Sequence, residues 1–237
     1  MSIASLVVQE LESKADLKQA AILSRFFKTG PGGYGEGDRF FGLKVPAQRL
    51  IAKKYLSDFT LEDADVLLRS VWHECRLIAL LSMVELYRKT EDHAYHAQMI
   101  GFYEKHFSCI NNWDLVDLSA PSLTGDWYAH NERSCLFDWI KSDRVWTRRI
   151  AILTSFAFIK QHDFETTLDL SELCLSDSHD LIHKAVGWML REIGKRDGDC
   201  ERKWLQTRYK RMPRTMLRYA IERFPKEEYY LWLEGKM

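Results

Sequence analysis

Apolar residues recur along most of the chain at spacings of three and four, which is the pattern of helices with one buried face. Two such stripes are Leu77, Leu80, Leu81, Val84 and Tyr87, and Ile150, Leu153, Ala157 and Ile159. Helix breakers are few, since 237 residues contain only 5 prolines and 12 glycines. The pattern therefore predicts an all-α fold of many helices.

One segment, Thr29 to Pro46, breaks this pattern with the sequence TGPGGYGEGDRFFGLKVP. It is rich in glycine and aromatic residues, a composition that suits a short hairpin or an ordered loop. We expect the preceding helix to end near Lys28. The next helix should begin near Pro46, because proline is well accommodated in a first helical turn.

Four stretches of the chain resemble one another, and each runs from an anchor residue through a basic position into apolar residues. They read WHECRLIALLSMVELYRK from Trp72, VWTRRIAILTSFAFIKQ from Val145, LIHKAVGWMLREIGKRD from Leu181 and MPRTMLRYAIERFP from Met212. A related stretch, NNWDLVDLSAPSLTGDWY from Asn111, fills the widest gap. Repeats that begin at these intervals along the chain, with two helices each, are typical of HEAT-like α-solenoids. We therefore expect one HEAT-like repeat domain over residues 1–237.

The repeats place one basic residue each at matching positions, namely Arg76, Arg149, Lys184 and Arg214. Matching positions of a solenoid line one surface, usually the concave one, where regularly spaced cations can follow a phosphate backbone. In the Asn111 stretch the matching position is Asp117, so a single carboxylate interrupts the row. Salt bridges between neighbouring repeats would explain the same spacing equally well.

The overall charge gives little support for a nucleic-acid partner, because 34 basic and 34 acidic residues sum to a formal net charge of zero. The distribution is uneven, however. From Arg202 to Arg218 every charged residue is basic, and Trp204 and Tyr209 are interleaved. Such polarisation can create one face that attracts polyanions, although a solvated basic helix is the alternative.

Two pairs of residues could carry chemistry. Trp113 and Asp117 are four residues apart and Trp188 and Arg191 are three apart, so on helices each pair shares a face. A single tryptophan is more often a core residue than a functional one. Two tryptophans beside one carboxylate and two arginines, with Arg149 as the second arginine, form a less ordinary combination.

These residues resemble those of the AlkD-like DNA alkylation repair proteins, which have HEAT-like repeats. The resemblance runs from about Leu17 to Phe224, and NNWDLVD, WTRRIAIL and HKAVGWMLRE are its most specific stretches. Proteins of this family remove cationic N3- or N7-alkylated purines from duplex DNA, without a metal and without inserting the base in a pocket. The resemblance implies that Trp113, Asp117 and Trp188 belong to a catalytic site and that Arg149 and Arg191 contact DNA.

The chemistry that the resemblance implies suits these side chains. An alkylated purine is cationic, so its glycosidic bond is already weakened and the base leaves with little acid assistance. Indole faces attract a cation by about 0.5–2 kcal/mol each. A carboxylate at Asp117 can stabilise an oxocarbenium-like sugar and orient water. Arginines can clamp the flanking phosphates without reading the base sequence.

The chain also departs from this family. Phe26 stands where a tyrosine near the lesion is usual, so the ring is kept and the hydroxyl is lost. The insertion GPGGYGEGDRFFG is similar to a feature of a sister branch, the AlkF/AlkG-like proteins, which favour branched DNA and show little or no base excision. A non-catalytic binder of branched or distorted DNA is therefore the alternative function, and a HEAT-type protein-interaction scaffold is a third.

Other motifs are weak. The stretch from Gly30 to Gly35 matches the letters of a dinucleotide-binding loop but lacks the strand that such a loop follows. The histidine pairs at 93/96 and 179/183 lack further ligands, so we expect no metal and no cofactor. The 5 cysteines form no C-x-x-C pair, which fits a reducing cytoplasm. We expect a cytoplasmic monomer without membrane contact.

The sequence thus yields a set of candidate site residues. The predicted catalytic residues are Asp117, Trp113 and Trp188, and the predicted DNA-binding residues are Arg149, Arg191, Arg76, Lys184, Arg214, Arg218 and Phe26.

Overall fold

A computed structural model describes all 237 residues of the protein. The fold is all-helical, as the apolar pattern predicts, and it contains no strand. An isolated parallel bridge joins Arg39 to Trp72. The chain forms two compact units, Met1–Ser119 and Ala120–Met237, which we call the first and second units. The assignment of one HEAT-like repeat domain to the whole chain stays a prediction.

The first unit contains seven α-helices and two short 3-10 segments. The helices are α1 (Ile3–Ser13), α2 (Leu17–Phe26), α3 (Val45–Tyr55), α4 (Leu61–Leu68), α5 (His73–Lys89), α6 (His93–Lys105) and α7 (Trp113–Ser119), and the 3-10 segments are Leu56–Asp58 and Phe107–Cys109. Helix α5 is buried on almost all sides and packs against α3, α4 and α7. Helix α5 therefore lies in the middle of the core, and its buried charged residues Glu74 and Arg76 have polar partners there.

The second unit contains nine α-helices and one 3-10 segment. The helices are α8 (Thr124–Ala129), α9 (Ser134–Trp139), α10 (Val145–Thr154), α11 (Phe156–Lys160), α12 (Glu165–Leu173), α13 (Asp180–Gly194), α14 (Gly198–Gln206), α15 (Arg214–Ala220) and α16 (Lys226–Glu234), and the 3-10 segment is Ile221–Arg223. Helix α13 packs against α10, α14 and α15. Most of its apolar residues are buried and its charged residues, apart from Glu192, are not, as expected for an amphipathic helix.

The glycine-rich segment between α2 and α3 is an ordered loop and not a hairpin. Helix α2 ends at Phe26, two residues before the predicted end, and Lys28 takes a left-handed backbone conformation with φ of 53°. Helix α3 begins at Val45 with Pro46 in its first turn, as predicted. Between them the backbone makes consecutive turns, such as Gly33 N–H to Gly30 O at 2.9 Å and Asp38 N–H to Gly35 O at 3.1 Å.

A buried carboxylate fixes the end of this loop. The Glu74 side chain, on α5, accepts backbone N–H bonds from Phe41, Gly42 and Leu43 at 3.1, 2.8 and 3.2 Å. Gly42 is required there, since φ is 99° and a Cβ would lie 2.1 Å from the carbonyl oxygen of Asp16. The loop is therefore held by the first turn of the central helix.

Two further observations concern the whole chain. None of the helices combines the length and the apolar character needed to cross a membrane. All five cysteines are free thiols. Burial raises the pKa of the Cys75 thiol to about 11 and that of the Cys174 thiol to about 12, so both are poor nucleophiles.

Candidate DNA-binding and catalytic site

Helix α7 carries two of the three predicted catalytic residues. Trp113 and Asp117 lie one turn apart on it, so they share a face as the sequence predicts, and both side chains are half-buried. Asp117 lies close enough to Tyr103 for its charge to matter. Burial first, and then the charge of Asp117, raises the pKa of that phenol, whose oxygen lies 2.7 Å from Ser119 Oγ. The helix therefore presents an indole and a carboxylate side by side.

The Trp113 ring is fixed by aromatic neighbours on α2 and just after it. Phe27 stacks against it at a centroid distance of 5.5 Å and an interplanar angle of 27°. Phe26 meets it edge-on at 5.9 Å. The indole Nε1 donates to the Tyr34 hydroxyl at 3.3 Å. Since Phe27 covers one face of the ring, a ligand can meet only the opposite face.

A second layer of rings lies beneath these residues. Phe27, Phe40 and His73 stack on one another with centroid distances of 4.8 to 5.3 Å. Phe27, Phe40 and Ala20 are buried together in one apolar cluster, on which Trp113 packs. Such ring stacks contribute about 0.5–1.5 kcal/mol per pair beyond the burial of their area. The cluster is therefore a stiff support for the Trp113 ring.

Charged side chains buried beside this cluster connect the glycine-rich loop to α5 and α7. Asp38 accepts from His73 Nδ1 at 3.1 Å and forms an ion pair with Arg76 Nη2 at 2.6 Å. His73 Nε2 lies 2.8 Å from Asp114, the residue that follows Trp113. Asn111 Nδ2 donates to Asp38 Oδ1 at 2.8 Å. The loop, the central helix and the start of the Trp113 helix thus share one network.

The network settles which of these groups carry charge. Burial of Asp38 opposes its ionisation, but the hydrogen bond from His73 and the charge of Arg76 outweigh burial and lower the pKa of Asp38. Burial likewise opposes the charged form of His73, yet the hydrogen bonds to Asp114 and Asp38 outweigh it and raise the pKa of His73. Both ring nitrogens of His73 face carboxylates, which is the arrangement of an imidazolium.

The exposed end of α2 adds residues that the sequence reasoning did not single out. Phe26, a predicted DNA contact, is 60% exposed. Arg25 and Lys28 on either side of it are exposed and pair with no acid, and they line an open depression of about 360 Å³ with Thr29. The sequence signal for Arg25 and Lys28 is that they flank aromatic residues in the stretch RFFK. This stretch is too short to be noticed in a chain with 34 basic residues.

In the second unit, Trp188 has a comparable environment on α13. Its Nε1 donates to Glu192 Oε1 at 3.2 Å, and its ring lies 5.8 Å from that of Phe156. Burial opposes the charge of Glu192, but hydrogen bonds from Lys195 and Arg196 outweigh burial and lower its pKa. The indole therefore donates to an ionised carboxylate.

Three of the predicted DNA-binding residues in the second unit line one cleft of about 600 Å³. They are Lys184, Arg191 and Arg218. Lys184 pairs with Asp180 at 2.7 Å and Arg191 pairs with Glu222, whereas Arg218 is exposed and has no acidic partner. The Nε of Arg191 is buried without a hydrogen-bond partner. The cleft therefore holds three cations and two carboxylates. A phosphate would have to displace the two carboxylates in order to bind Lys184 and Arg191.

The other members of the predicted basic row lie differently. Arg76 is only 4% exposed and belongs to the Asp38 network, and Arg149 is 5% exposed and donates to the carbonyl of Leu181 at 2.6 Å. Arg214 is exposed, and its guanidinium bonds the carbonyl of Leu233. For Arg76 this placement favours the salt-bridge interpretation. A phosphate contact by Arg76 or Arg149 stays a prediction that would require these bonds to open.

Three of the seven basic residues in the run from Arg202 to Arg218 pair with acids from elsewhere in the second unit. Arg202 pairs with Glu228 at 2.7 Å. Arg208 and Arg211 both pair with Glu172, the latter at 2.9 Å. The acids are 26 or more residues away, so the local sequence does not show them. Arg214 and Arg218, the two predicted DNA-binding residues of this run, are exposed and pair with no acid.

The histidine pair at 179 and 183 serves the start of α13. His179 Nδ1 accepts from the backbone N–H of Leu181 at 3.1 Å, and His183 Nε2 lies 2.5 Å from the carbonyl oxygen of Asp177. No three His, Cys, Asp or Glu side chains are grouped as metal ligands would be. His179 thus caps α13, and His183 ties the helix to the backbone just before it.

Comparisons with known proteins agree with this architecture. The fold is similar to a predicted DNA alkylation repair enzyme from Enterococcus faecalis, with a TM-score of 0.70 and 16% identity over 90% of this chain and 97% of that chain. It is also similar to AlkD2 from Streptococcus mutans, with a TM-score of 0.55 and 16% identity over 88% of this chain and 98% of that chain. A comparison with curated protein sequences finds no match. Residues 7–224 match the model of the DNA alkylation repair enzyme family, and the chain therefore belongs to that family.

Proposed function

We propose that this protein binds duplex DNA and hydrolyses the N-glycosidic bond of cationic N3- or N7-alkylated purines. The observation that carries the proposal is the pair on α7. Trp113 and Asp117 share one face of that helix, and the ring of Trp113 is held by Phe26, Phe27 and Tyr34. Membership of the DNA alkylation repair family supports DNA as the substrate.

The pair suits this reaction because a positive charge is present from the bound substrate through the transition state. The alkylated base carries a positive charge before it leaves, and the sugar carries one as the bond breaks. An indole face attracts a cation by about 0.5–2 kcal/mol. A carboxylate one turn away stabilises the oxocarbenium-like sugar and orients the water that attacks it. Asp117 would therefore act on the transition state, and Trp113 on both substrate and transition state.

Binding would rest on cations that can reach phosphates. Arg25 and Lys28 in the first unit and Arg218 in the second are exposed and pair with no acid. Phosphate contacts of this kind hold DNA without regard to base sequence and weaken as salt rises. We therefore expect affinity for undamaged duplex that falls steeply with ionic strength.

Single-turnover excision from a duplex containing 7-methylguanine tests the proposal. The wild-type protein should release the base faster than the spontaneous rate. Asp117→Asn should slow release by about 100-fold or more, in line with the loss of one group that stabilises transition-state charge, with little change in duplex affinity. Asp169→Asn, which alters an exposed carboxylate on α12, is the matched control and should leave the rate unchanged. Release at the spontaneous rate by the wild type would refute excision.

A second candidate function is non-catalytic binding of branched or distorted DNA, and one observation favours it. Phe26 is exposed between two cations that have no acidic partner, at the edge of the glycine-rich loop. Aromatic rings flanked by basic residues are the usual platform for unstacked nucleotides, which junctions offer and regular duplexes do not. Affinities for a linear duplex and a four-way junction, measured at several salt concentrations, decide this, and equal values would count against it.

A further inference from the structure

The tip of the glycine-rich loop places a phenol between two parts of the candidate site. The Tyr34 hydroxyl accepts from Trp113 Nε1 at 3.3 Å and donates to the carbonyl oxygen of Phe26 at 3.2 Å. Tyr34 is half-buried. The hydroxyl therefore joins the end of α2 to the indole of α7, two elements that are distant in the sequence.

Two glycines let the loop come close enough for this contact. A Cβ at Gly33 would lie 1.9 Å from the carbonyl oxygen of Lys28, and one at Gly35 would lie 2.4 Å from that of Phe27. Both distances are far below van der Waals contact, so only glycine fits. The backbone N–H of Gly35 also donates to the carbonyl of Lys28 at 3.3 Å. Tyr34 lies between these two glycines and is fixed by their packing.

The loop is tied to the Trp113 helix on its other side as well. Asp38, four residues after Tyr34, binds Asn111 and His73, and His73 in turn binds Asp114. The glycine-rich loop is thus bonded to the Trp113 helix at two places, through Tyr34 and through Asp38. The Asp38 network includes residues on both sides of Trp113, namely Asn111 and Asp114.

The hydrogen bond from Trp113 has a consequence for the ring itself. An indole whose N–H donates to an oxygen gains electron density, and its face then attracts a cation more strongly. The Tyr34 oxygen is a better acceptor because its own proton is given to Phe26, since consecutive hydrogen bonds polarise one another. The hydrogen bond to Tyr34 therefore both orients and polarises the Trp113 ring.

We propose that Tyr34 is a positioning residue for Trp113: it fixes the plane of the indole and enriches its open face for a cationic nucleotide. The glycine-rich loop is then a working part of the candidate site. This inference rests on the proposed function for its effect on excision, while the contact itself can be tested without any activity.

The first test is Tyr34→Phe, which removes the hydroxyl and keeps the ring. Single-turnover release of 7-methylguanine should fall by about threefold to tenfold, the loss expected for one hydrogen bond. Affinity for the undamaged duplex should stay at the wild-type value, and the thermal midpoint should fall by no more than a few degrees, so that the variant is fully folded in the assay. The matched control is Tyr95→Phe, a half-buried tyrosine of the same unit, which should not change the rate. A wild-type rate in Tyr34→Phe would overturn the proposal, as would a loss that merely follows lowered stability.

The second test needs no enzymatic activity. The protein has 8 tryptophans, and 5-fluorotryptophan labelling gives each a fluorine resonance, of which Trp113→Phe identifies one. Tyr34→Phe should shift the Trp113 resonance and leave the other seven in place. An unshifted Trp113 resonance would overturn the positioning role. A shifted resonance in a protein that excises nothing would support the contact and refute only the proposed glycosylase function.

Discussion

Trp113 and Trp188 have similar environments that the chain builds in different ways. Each indole N–H donates to an oxygen and each ring lies against a phenylalanine. The acceptor of Trp113 is Tyr34, 79 residues away, whereas the acceptor of Trp188 is Glu192, four residues along the same helix. The first environment therefore exists only once distant segments have assembled, while the second is largely complete when α13 forms.

The charged side chains near the two tryptophans also differ, in how deeply their partners are buried. Asp38 and His73, in the Trp113 network, are almost completely buried. Glu192 is buried too, but its partner Lys195 is 43% exposed and can turn into solvent. A charge that loses its partner in the interior stays unsolvated, whereas one near the surface regains water. The Trp113 region should therefore be the more fragile of the two.

The largest expected effect is that of Asp38→Ala. Removing this carboxylate leaves the charges of His73 and Arg76 buried, and breaking a buried ion pair in this way costs about 3–5 kcal/mol in the free energy of unfolding. Glu192→Ala is the corresponding change in the other region. It should cost about 1–2 kcal/mol, because its partners can reach solvent. Urea unfolding monitored by circular dichroism measures both, and equal losses would break the comparison.

The Trp188 region should instead be sensitive to helix packing. Gly187 precedes Trp188, and a Cβ there would lie 2.4 Å from the carbonyl oxygen of Met216 and 2.5 Å from Tyr219 Cβ. Gly187→Ala therefore forces α13 and α15 apart, at a cost of about 1–3 kcal/mol, typical of overpacking.

Gly101→Ala is the matched control for this change. Gly101 is also within a helix, α6, but a Cβ there would meet nothing within 4 Å. Alanine should then stabilise the protein by up to about 1 kcal/mol, through its higher helix propensity. Thermal unfolding of the two variants gives the comparison directly. A neutral or stabilising Gly187→Ala would show that the close contact of α13 with α15 is not a constraint.

The same contrast explains what the sequence could predict. Helices and shared helix faces depend on residues three or four apart, so the pairs on α7 and α13 followed from spacing and are found as expected. The Asp38 network joins residues 35 to 73 positions apart, and no local pattern reports such pairing. Arg76 shows the consequence. A buried arginine and a solvent-facing one look alike in a repeat, and only the position of Asp38 distinguishes them.

A last contrast concerns pH, because a buried group with a raised pKa lies near each tryptophan helix. Beside Trp113 it is His73, whose hydrogen bonds to two carboxylates outweigh its burial. Beside the end of α13 it is Glu201, which packs against Gly194 and is only 1% exposed. Burial raises the pKa of Glu201 to about 8, against opposing charges from Arg202 and Arg191 and a reinforcing one from Glu228.

Glu201 should make the protein less stable as the pH rises. Between the usual glutamate pKa of 4.5 and the raised value of about 8, the folded state holds a proton that the unfolded state has released, so raising the pH in this range favours unfolding. Glu201→Gln removes this linkage. The thermal midpoint of the variant should exceed that of the wild type by a growing margin, of the order of ten degrees in all, from about pH 5 to about pH 8, and the margin should then become constant. His73 is present in both proteins, so its own loss of stability at high pH cancels in the difference. A margin that does not change with pH would mean that Glu201 is ionised in the folded protein and that the end of α13 tolerates a buried charge as the Trp113 network does.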